Sequence, residues 1–316
     1  MKELGKIIFY LVATIILGAL LTPPLAWGLQ WLNGLGYLLD QADAPLHRIF
    51  NRGILVAAIL LIWPVSRWIK VPRLFDLQAF GLKPNPRRWQ DLGIGFLGSF
   101  LIMALLAAVV IYLEIYTLRR EIRWDGLQKV AISAVFVSLL EEGLFRGILL
   151  GLLLRTLNPL LALFSISSIY SIVHFVKPDE HLAAGAEIEW FSGFPLVLDA
   201  LRNFQFQNWH EFLTLLGGFV TLLCVGWIMG WTRLKTGSLW MAIGLHAGWI
   251  LGKMGLGPIA RRKIKADETL PWLGEDITVG LVSIMLVLLT GLLIWLWITR
   301  VRNKKHEPDM APAEIA

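Results

Sequence analysis

A chain of 316 residues that is 56% hydrophobic and only 16% charged is too apolar for a soluble protein, which ordinarily carries about 25% charged residues. The formal net charge of +6 collects on no polar domain, so it argues for membrane-surface electrostatics and against nucleic-acid binding. The single cysteine, Cys224, lies in an apolar run and excludes an intramolecular disulfide.

The pattern predicts an all-α, polytopic integral membrane bundle of about eight transmembrane helices. Lys2 and Lys6 precede an uncharged stretch, Ile7 to Gln30. The apolar part runs on through Pro23-Pro24 towards Leu39 and no convincing A-x-A site follows it, so it reads as a retained span rather than a signal peptide, with a break expected at the two prolines. A polar loop from Asp40 leads to a second span, Ile54 to Val65, and then to a basic segment, Arg67 to Arg88. Within that segment, Lys83-Pro84-Asn85-Pro86 has turn chemistry. The third span is Leu92 to Leu113, and the charged stretch Glu114 to Lys129 separates it from the fourth, Val130 to Leu154. Pro159 suits the first position of the fifth helix, Leu160 to Phe175. Lys177 to Glu211 mixes acids with Trp190, Phe191, Phe194, Phe204, Phe206 and Trp209. That composition fits a loop carrying an interfacial helix. Leu213 to Trp231, Ser238 to Met254 and Thr278 to Ile298 are the remaining spans. The chain thus divides into residues 1–129, N-terminal spans and interfacial segments; 130–256, core helices with the 177–211 insertion; and 257–316, the last span and polar tail. The distribution of Lys and Arg favours cytoplasmic termini in a cell membrane.

The fourth span carries Leu139-Leu140-Glu141-Glu142-Gly143-Leu144-Phe145-Arg146-Gly147. Each such charge at the bilayer centre costs about 2.5–3.5 kcal/mol on insertion scales, and intramembrane charges lean functional. Glu142 and Arg146 are four apart and can pair on one helical face, whereas Glu141 is turned roughly 100° away. Tyr170 and His174 share a face of the fifth span, and His246 sits near the middle of the seventh.

Two chemistries fit these groups. A desolvated glutamate assisted by a histidine can deprotonate water for attack on an amide carbonyl, with a second histidine donating to the oxyanion. Alternatively, one Glu and two His make a zinc set. No H-E-x-x-H is present; no cofactor is assigned, and glutamate-activated and metal-bound water both remain open. Ser133, Ser138, Ser165, Ser167, Ser168 and Ser171 lie in the same spans, but no G-x-S-x-G or S-x-x-K accompanies them. Structural helix-to-helix glue and an ion path are the non-enzymatic readings. The latter is disfavoured because no internal repeat is evident.

These residues resemble the CPBP family, which includes the CAAX prenyl proteases of the Ras-converting type and Abi-like bacteriocin-processing or immunity proteins. Glu141-Glu142-Gly143-Leu144-Phe145-Arg146 is similar to the family's E-E-x-x-x-R motif. Tyr170 and His174 match its aromatic-x-x-x-His, with Tyr where Phe is commoner. His246 matches its third motif, but Ile250 stands where that motif has Asn or Asp. The upstream Phe80-Gly81-Leu82 also resembles the approach to this core, and the likeness covers about Val130 to Met254. It implies an intramembrane endopeptidase acting on a membrane-associated protein or peptide. Glu141 would be the base, His174 its assistant, and His246 part of the oxyanion site. Glu142, Arg146 and Tyr170 would support them. Ser238 or Asn203 would substitute for the donor missing at Ile250. The competing reading on the same fold is a non-catalytic scaffold or immunity-type protein.

Overall fold

The computed structural model describes residues 2–35, 45–68, 83–176, 178, 187–202, 204–206, 209–274 and 277–302. Phe80-Gly81-Leu82, Asn203 and most of 177–186 lie outside them. In chain order the elements are α1 (Lys2–Gly34), α2 (Leu46–Trp68), α3 (Arg88–Tyr112), β1 (Tyr116–Leu118), α4 (Trp124–Glu141), a π-helical segment (Glu142–Leu149), α5 (Leu150–Leu153), α6 (Pro159–Val173), α7 (Gly193–Arg202), α8 (Trp209–Thr236), α9 (Trp240–Ile259), β2 (Ala260–Arg262), α10 (Ala266–Thr269) and α11 (Leu281–Trp297). A second π turn, Ile298–Arg302, closes α11. The chain is an all-α integral membrane protein. Five helices, within α1, α2, α3, α8 and α11, are long and apolar enough to cross a membrane, and α6 is a shorter apolar helix.

The chain forms two compact units. One comprises Met1–Phe80, Leu152–Asn158 and Ser171–Phe212; the other comprises Gly81–Gly151, Pro159–Tyr170 and Leu213–Ala316.

In the first unit, α1 packs on α2 and α7 around Ala19, Phe50 and Leu196. The expected break at Pro23-Pro24 does not occur; α1 runs through both prolines. Proline lacks the N–H that would reach back four residues, so Ala19 and Leu20 lose their helical donors. Close to that point the Gly193 backbone packs against the Ala19 carbonyl, where any Cβ would collide. Trp190 packs edge-on against Trp27, with ring centroids 4.7 Å apart. The helix expected within 177–211 is α7, which buries Leu196 and Ala200 and exposes Leu198 and Leu201.

In the second unit, α9 is the central helix, with an unbroken buried run from Met241 to Trp249. Its glycines make that burial possible. Gly244, Gly248 and Gly252 recur every four residues and face α3, opposite Gly95, Ser99 and Met103 at the same spacing. A Cβ built on Gly248 would stand 2.5 Å from the Phe96 carbonyl oxygen, and one on Gly95 would stand 2.5 Å from that of Met241. Small residues at this period let two membrane helices approach closely, so that dispersion replaces the missing hydrophobic drive.

The start of α9 is tied to the start of α3. Gly237 caps α8 in the left-handed region at φ 67°, its N–H reaching the Arg233 carbonyl at 2.9 Å. Its own carbonyl accepts the Lys83 N–H at 2.8 Å. Asn85, in the Pro-Asn-Pro turn, donates to buried Asp91 at 2.7 Å and to Ser238 at 2.8 Å. At the other end, β1 and β2 form a two-stranded antiparallel ribbon pairing Tyr116 with Arg262 and Leu118 with Ala260. Beside it Lys263 meets Glu114 at 2.6 Å, both exposed.

Candidate active site

The fourth span is not the uniform α-helix expected of it. At Glu142 it widens into a π-helical stretch whose end is marked by the Leu150 N–H bonding the Phe145 carbonyl, a five-residue step. Such widened turns are uncommon and recur at functional sites. Glu142 and Arg146 nevertheless pair, with Arg146 Nη1 donating to Glu142 Oε1 at 2.7 Å, both side chains wholly buried.

His246 arrives from α9. Its Nδ1 lies 2.9 Å from the same Glu142 Oε1, and its Nε2 faces Glu141 Oε2 at 3.8 Å. The imidazole therefore stands between the two adjacent glutamates. Glu141, at the end of α4, keeps 26% side-chain exposure where Glu142 has none. Tyr170 on α6 floors the cluster. The Arg146 guanidinium lies 4.2 Å from its ring centroid, Phe145 packs against it edge-on at 5.2 Å, and the His246 ring stands 6.3 Å away. A desolvated cation over an aromatic face gains about 2 kcal/mol. Arg146 Nη2 also reaches the Gly226 carbonyl on α8 at 3.4 Å. α8 comes this close because a Cβ on Gly226 would stand only 3.1 Å from the Ser167 backbone.

Glu141, Glu142, Arg146, Tyr170 and His246 thus meet in the second unit. His174 is half-buried in the turn after α6 and falls in the first unit. Ile250 is half-buried one turn beyond His246. Ser238 is engaged with Asn85 at the start of α9. Ser138 and Ser167 donate to the Val135 and Leu163 carbonyls of their own helices, the usual fate of hydroxyls in membrane helices. Among the described residues, no three His, Cys, Asp or Glu side chains group as a metal site.

The cluster is not built for stability. Glu142 Oε2 and Arg146 Nε are buried with no hydrogen-bond partner among the described residues. A buried ion pair offsets its desolvation only when its remaining polar atoms are satisfied. Several charges held this way inside an apolar bundle define a membrane protein with an internal ionisable site. Residues 123–251 match the family model described as "Rce1-like: Type II CAAX prenyl endopeptidase Rce1-like", the stretch that carries the E-E-x-x-x-R motif and both histidines. That stretch is therefore similar to type II CAAX prenyl endopeptidases. No curated protein and no solved structure matches the chain.

The sequence reading passed over three features. The recurrence of Gly244, Gly248 and Gly252 was a legible signal for close helix packing. The tie from Asn85 to Asp91 and Ser238 had only its turn chemistry to announce it. The contact of His246 with Glu142 had no local signal, since 104 residues separate the partners.

Proposed function

We propose that the protein is an intramembrane endopeptidase that hydrolyses a peptide bond of a membrane-associated protein or peptide, with Glu141 as the base that activates water. The observation that carries this reading is the pairing of a part-exposed carboxylate, Glu141, with the buried imidazole of His246 3.8 Å away. A carboxylate beside an imidazole can share with it the handling of a proton taken from water. Water loses a proton to Glu141 as its oxygen attacks the amide carbon, and Glu141 returns that proton to the departing nitrogen. Glu142, Arg146 and Tyr170 hold the helix that presents Glu141. His174, four residues after Tyr170 on a continuous chain, is assigned as an assistant to the base. The 177–211 segment is assigned as a substrate-docking element. The membrane is assigned as a cell membrane with cytoplasmic termini, on the Lys and Arg bias.

The test is cleavage of a diverse peptide library by purified protein in liposomes. Wild type is expected to cleave with chelator present. Glu141→Gln, folded, is expected to lose about 10²–10⁴-fold, the usual contribution of general acid–base catalysis. Full activity in that variant would reject the mechanism. Loss on chelation with recovery on adding zinc would move the water onto a metal.

A second reading rests on Ile250. Its aliphatic side chain puts no donor one turn beyond His246, which fits a non-catalytic, partner-binding scaffold on the same bundle. On that reading the folded wild type cleaves nothing in the library, and substitutions at Glu141 leave partner binding intact.

A further inference from the structure

We infer that the end of the second unit where α3 begins is a binding surface for an anionic phospholipid. Lys83, Arg88 and Lys235 hold the headgroup, and an acyl chain lies along the exposed face of α3. The inference is independent of the proposed hydrolysis.

The argument begins with charge. Lys83 and Lys235 are tied to one place, because the Lys83 N–H bonds the Gly237 carbonyl at 2.8 Å and its side-chain stem lies 3.6 Å from where a Gly237 Cβ would stand. Arg88 follows on the same turn, its N–H reaching the Asn85 carbonyl at 3.2 Å. Arg300 arrives at this end too, since α11 runs alongside α8: Gly280 meets Gly217, and Gly291 meets Ile228 further along. Lys83, Arg88, Lys235 and Arg300 are all exposed. Among the described residues of 83–91, 233–240 and 298–302, the one carboxylate is Asp91. It is wholly buried and accepts from Asn85, so it does not face the headgroup layer. The other end of the unit differs. There Arg119, Arg120, Arg123 and Lys263 are interleaved with Glu114, Glu121 and Asp125, and Lys263 pairs with Glu114.

The shape below the cations fits a lipid and not a soluble anion. Trp89 is 67% exposed, with the Arg88 guanidinium 5.6 Å from its ring centroid and Trp240 packed beside it at 5.7 Å. Tryptophan favours the boundary between headgroup and hydrocarbon. From Trp89 the same face of α3 continues, every four residues, through Gly93 to exposed Leu97, Leu101 and Leu105. A Cβ on Gly93 would meet nothing within 4 Å, which leaves a notch between Trp89 and Leu97. A cationic rim, an aromatic pair and an apolar stripe thus follow one another down one helix. That order matches phosphate, glycerol and acyl chain in a phospholipid, and charge complementarity selects an anionic one.

The test uses the full chain in phosphatidylcholine vesicles containing a small fraction of phosphatidylglycerol, one lipid or the other brominated in its acyl chains. Bromine quenches tryptophan on contact. The chain has 15 tryptophans, so the quenching lost in Trp89→Phe isolates this face. The expected result is stronger quenching there by phosphatidylglycerol than by phosphatidylcholine. Lys83→Gln with Arg88→Gln and Lys235→Gln is expected to cut that preference by about fivefold per cation removed. Arg120→Gln with Lys129→Gln and Lys265→Gln, exposed positions on β1, α4 and β2 segments' side of the unit, is expected to leave it unchanged. Equal quenching by the two lipids in the wild type, or equal losses in the two triple variants, overturns the inference. Wild type alone gives a further reading that needs no variant to fold. Its preference is expected to fall in about 1 M salt, where the screening length shrinks to about 3 Å, and a preference that salt does not move overturns the charge basis. Displacement of the brominated lipid by a soluble acidic peptide would give the face to a protein partner and overturns it as well.

Discussion

His246 Nδ1 and Glu142 Oε1 meet at 2.9 Å, on the oxygen that Arg146 also reaches at 2.7 Å. One buried carboxylate oxygen thus joins α9 to the π-helical segment and faces the Arg146 guanidinium. Remove any one of the three groups and another is left with an unmet charge or proton.

The first prediction follows from that sharing. Arg146→Met alone leaves Glu142 buried and uncompensated, and is expected to destabilise the protein by about 3–5 kcal/mol. The double change, Glu142→Leu with Arg146→Met, is expected to cost far less, because hydrophobic replacement of a whole buried pair is often neutral. Thermal unfolding in a single detergent compares the two. Equal losses would mean that the pair is not coupled.

A second prediction concerns the α3–α9 contact. Gly248→Ala places a methyl group 2.5 Å from the Phe96 carbonyl oxygen and against Ser99, and the obstacle is partly backbone. Overpacking of this kind is expected to cost about 1–3 kcal/mol. Gly257→Ala is the control, since nothing lies within 4 Å of a Cβ there. Similar unfolding midpoints for the two variants would refute the close packing.

The helices were legible because apolar runs of membrane length have few alternatives, and α3, α6, α8 and α11 fall where those runs do. The continuity of α1 through Pro23 and Pro24 was not. Two adjacent prolines in a sequence ordinarily mark a break, and nothing local shows that the helix runs through them. The π-helical widening at Glu142 was also hidden, since it preserves the four-residue pairing with Arg146 that an ordinary helix gives. Glu141, Glu142 and Arg146 announced themselves as charges in an apolar run. His246 announced itself as an intramembrane histidine, but its place between both glutamates is a long-range contact with no local pattern. The ribbon of Tyr116–Leu118 and Ala260–Arg262 is too short to show alternation.

The third prediction lies at that ribbon, outside the spans. The Lys263 ammonium, by hydrogen bond and charge, holds the Glu114 carboxyl below the usual glutamate range. A lowered folded pKa means that the stabilisation is present above the unfolded value and is lost as pH falls through the folded one. The pair is solvent-exposed, so its contribution is small and screened by salt. The expected outcome is that Lys263→Ala raises the Glu114 titration towards its ordinary value, followed by carboxyl ¹³C NMR, with little change in unfolding temperature. An unmoved titration would show that the pair does not persist in solution.

The last prediction joins the fold to the site through Asn85. Its amide donates to the wholly buried Asp91 and to Ser238, and Ser238 lies eight residues before His246. The amide thus ties the turn before α3 to the start of α9, while the glycine contacts hold the same two helices further along. Asn85→Ala removes a donor from a buried acid, which is expected to destabilise the protein by about 1–3 kcal/mol. The glycine contacts remain, so α9 should keep its packing against α3. The variant should therefore still fold, with a lowered unfolding temperature in a single detergent. An unchanged unfolding temperature would show that the amide does not tie the turn to the two helices.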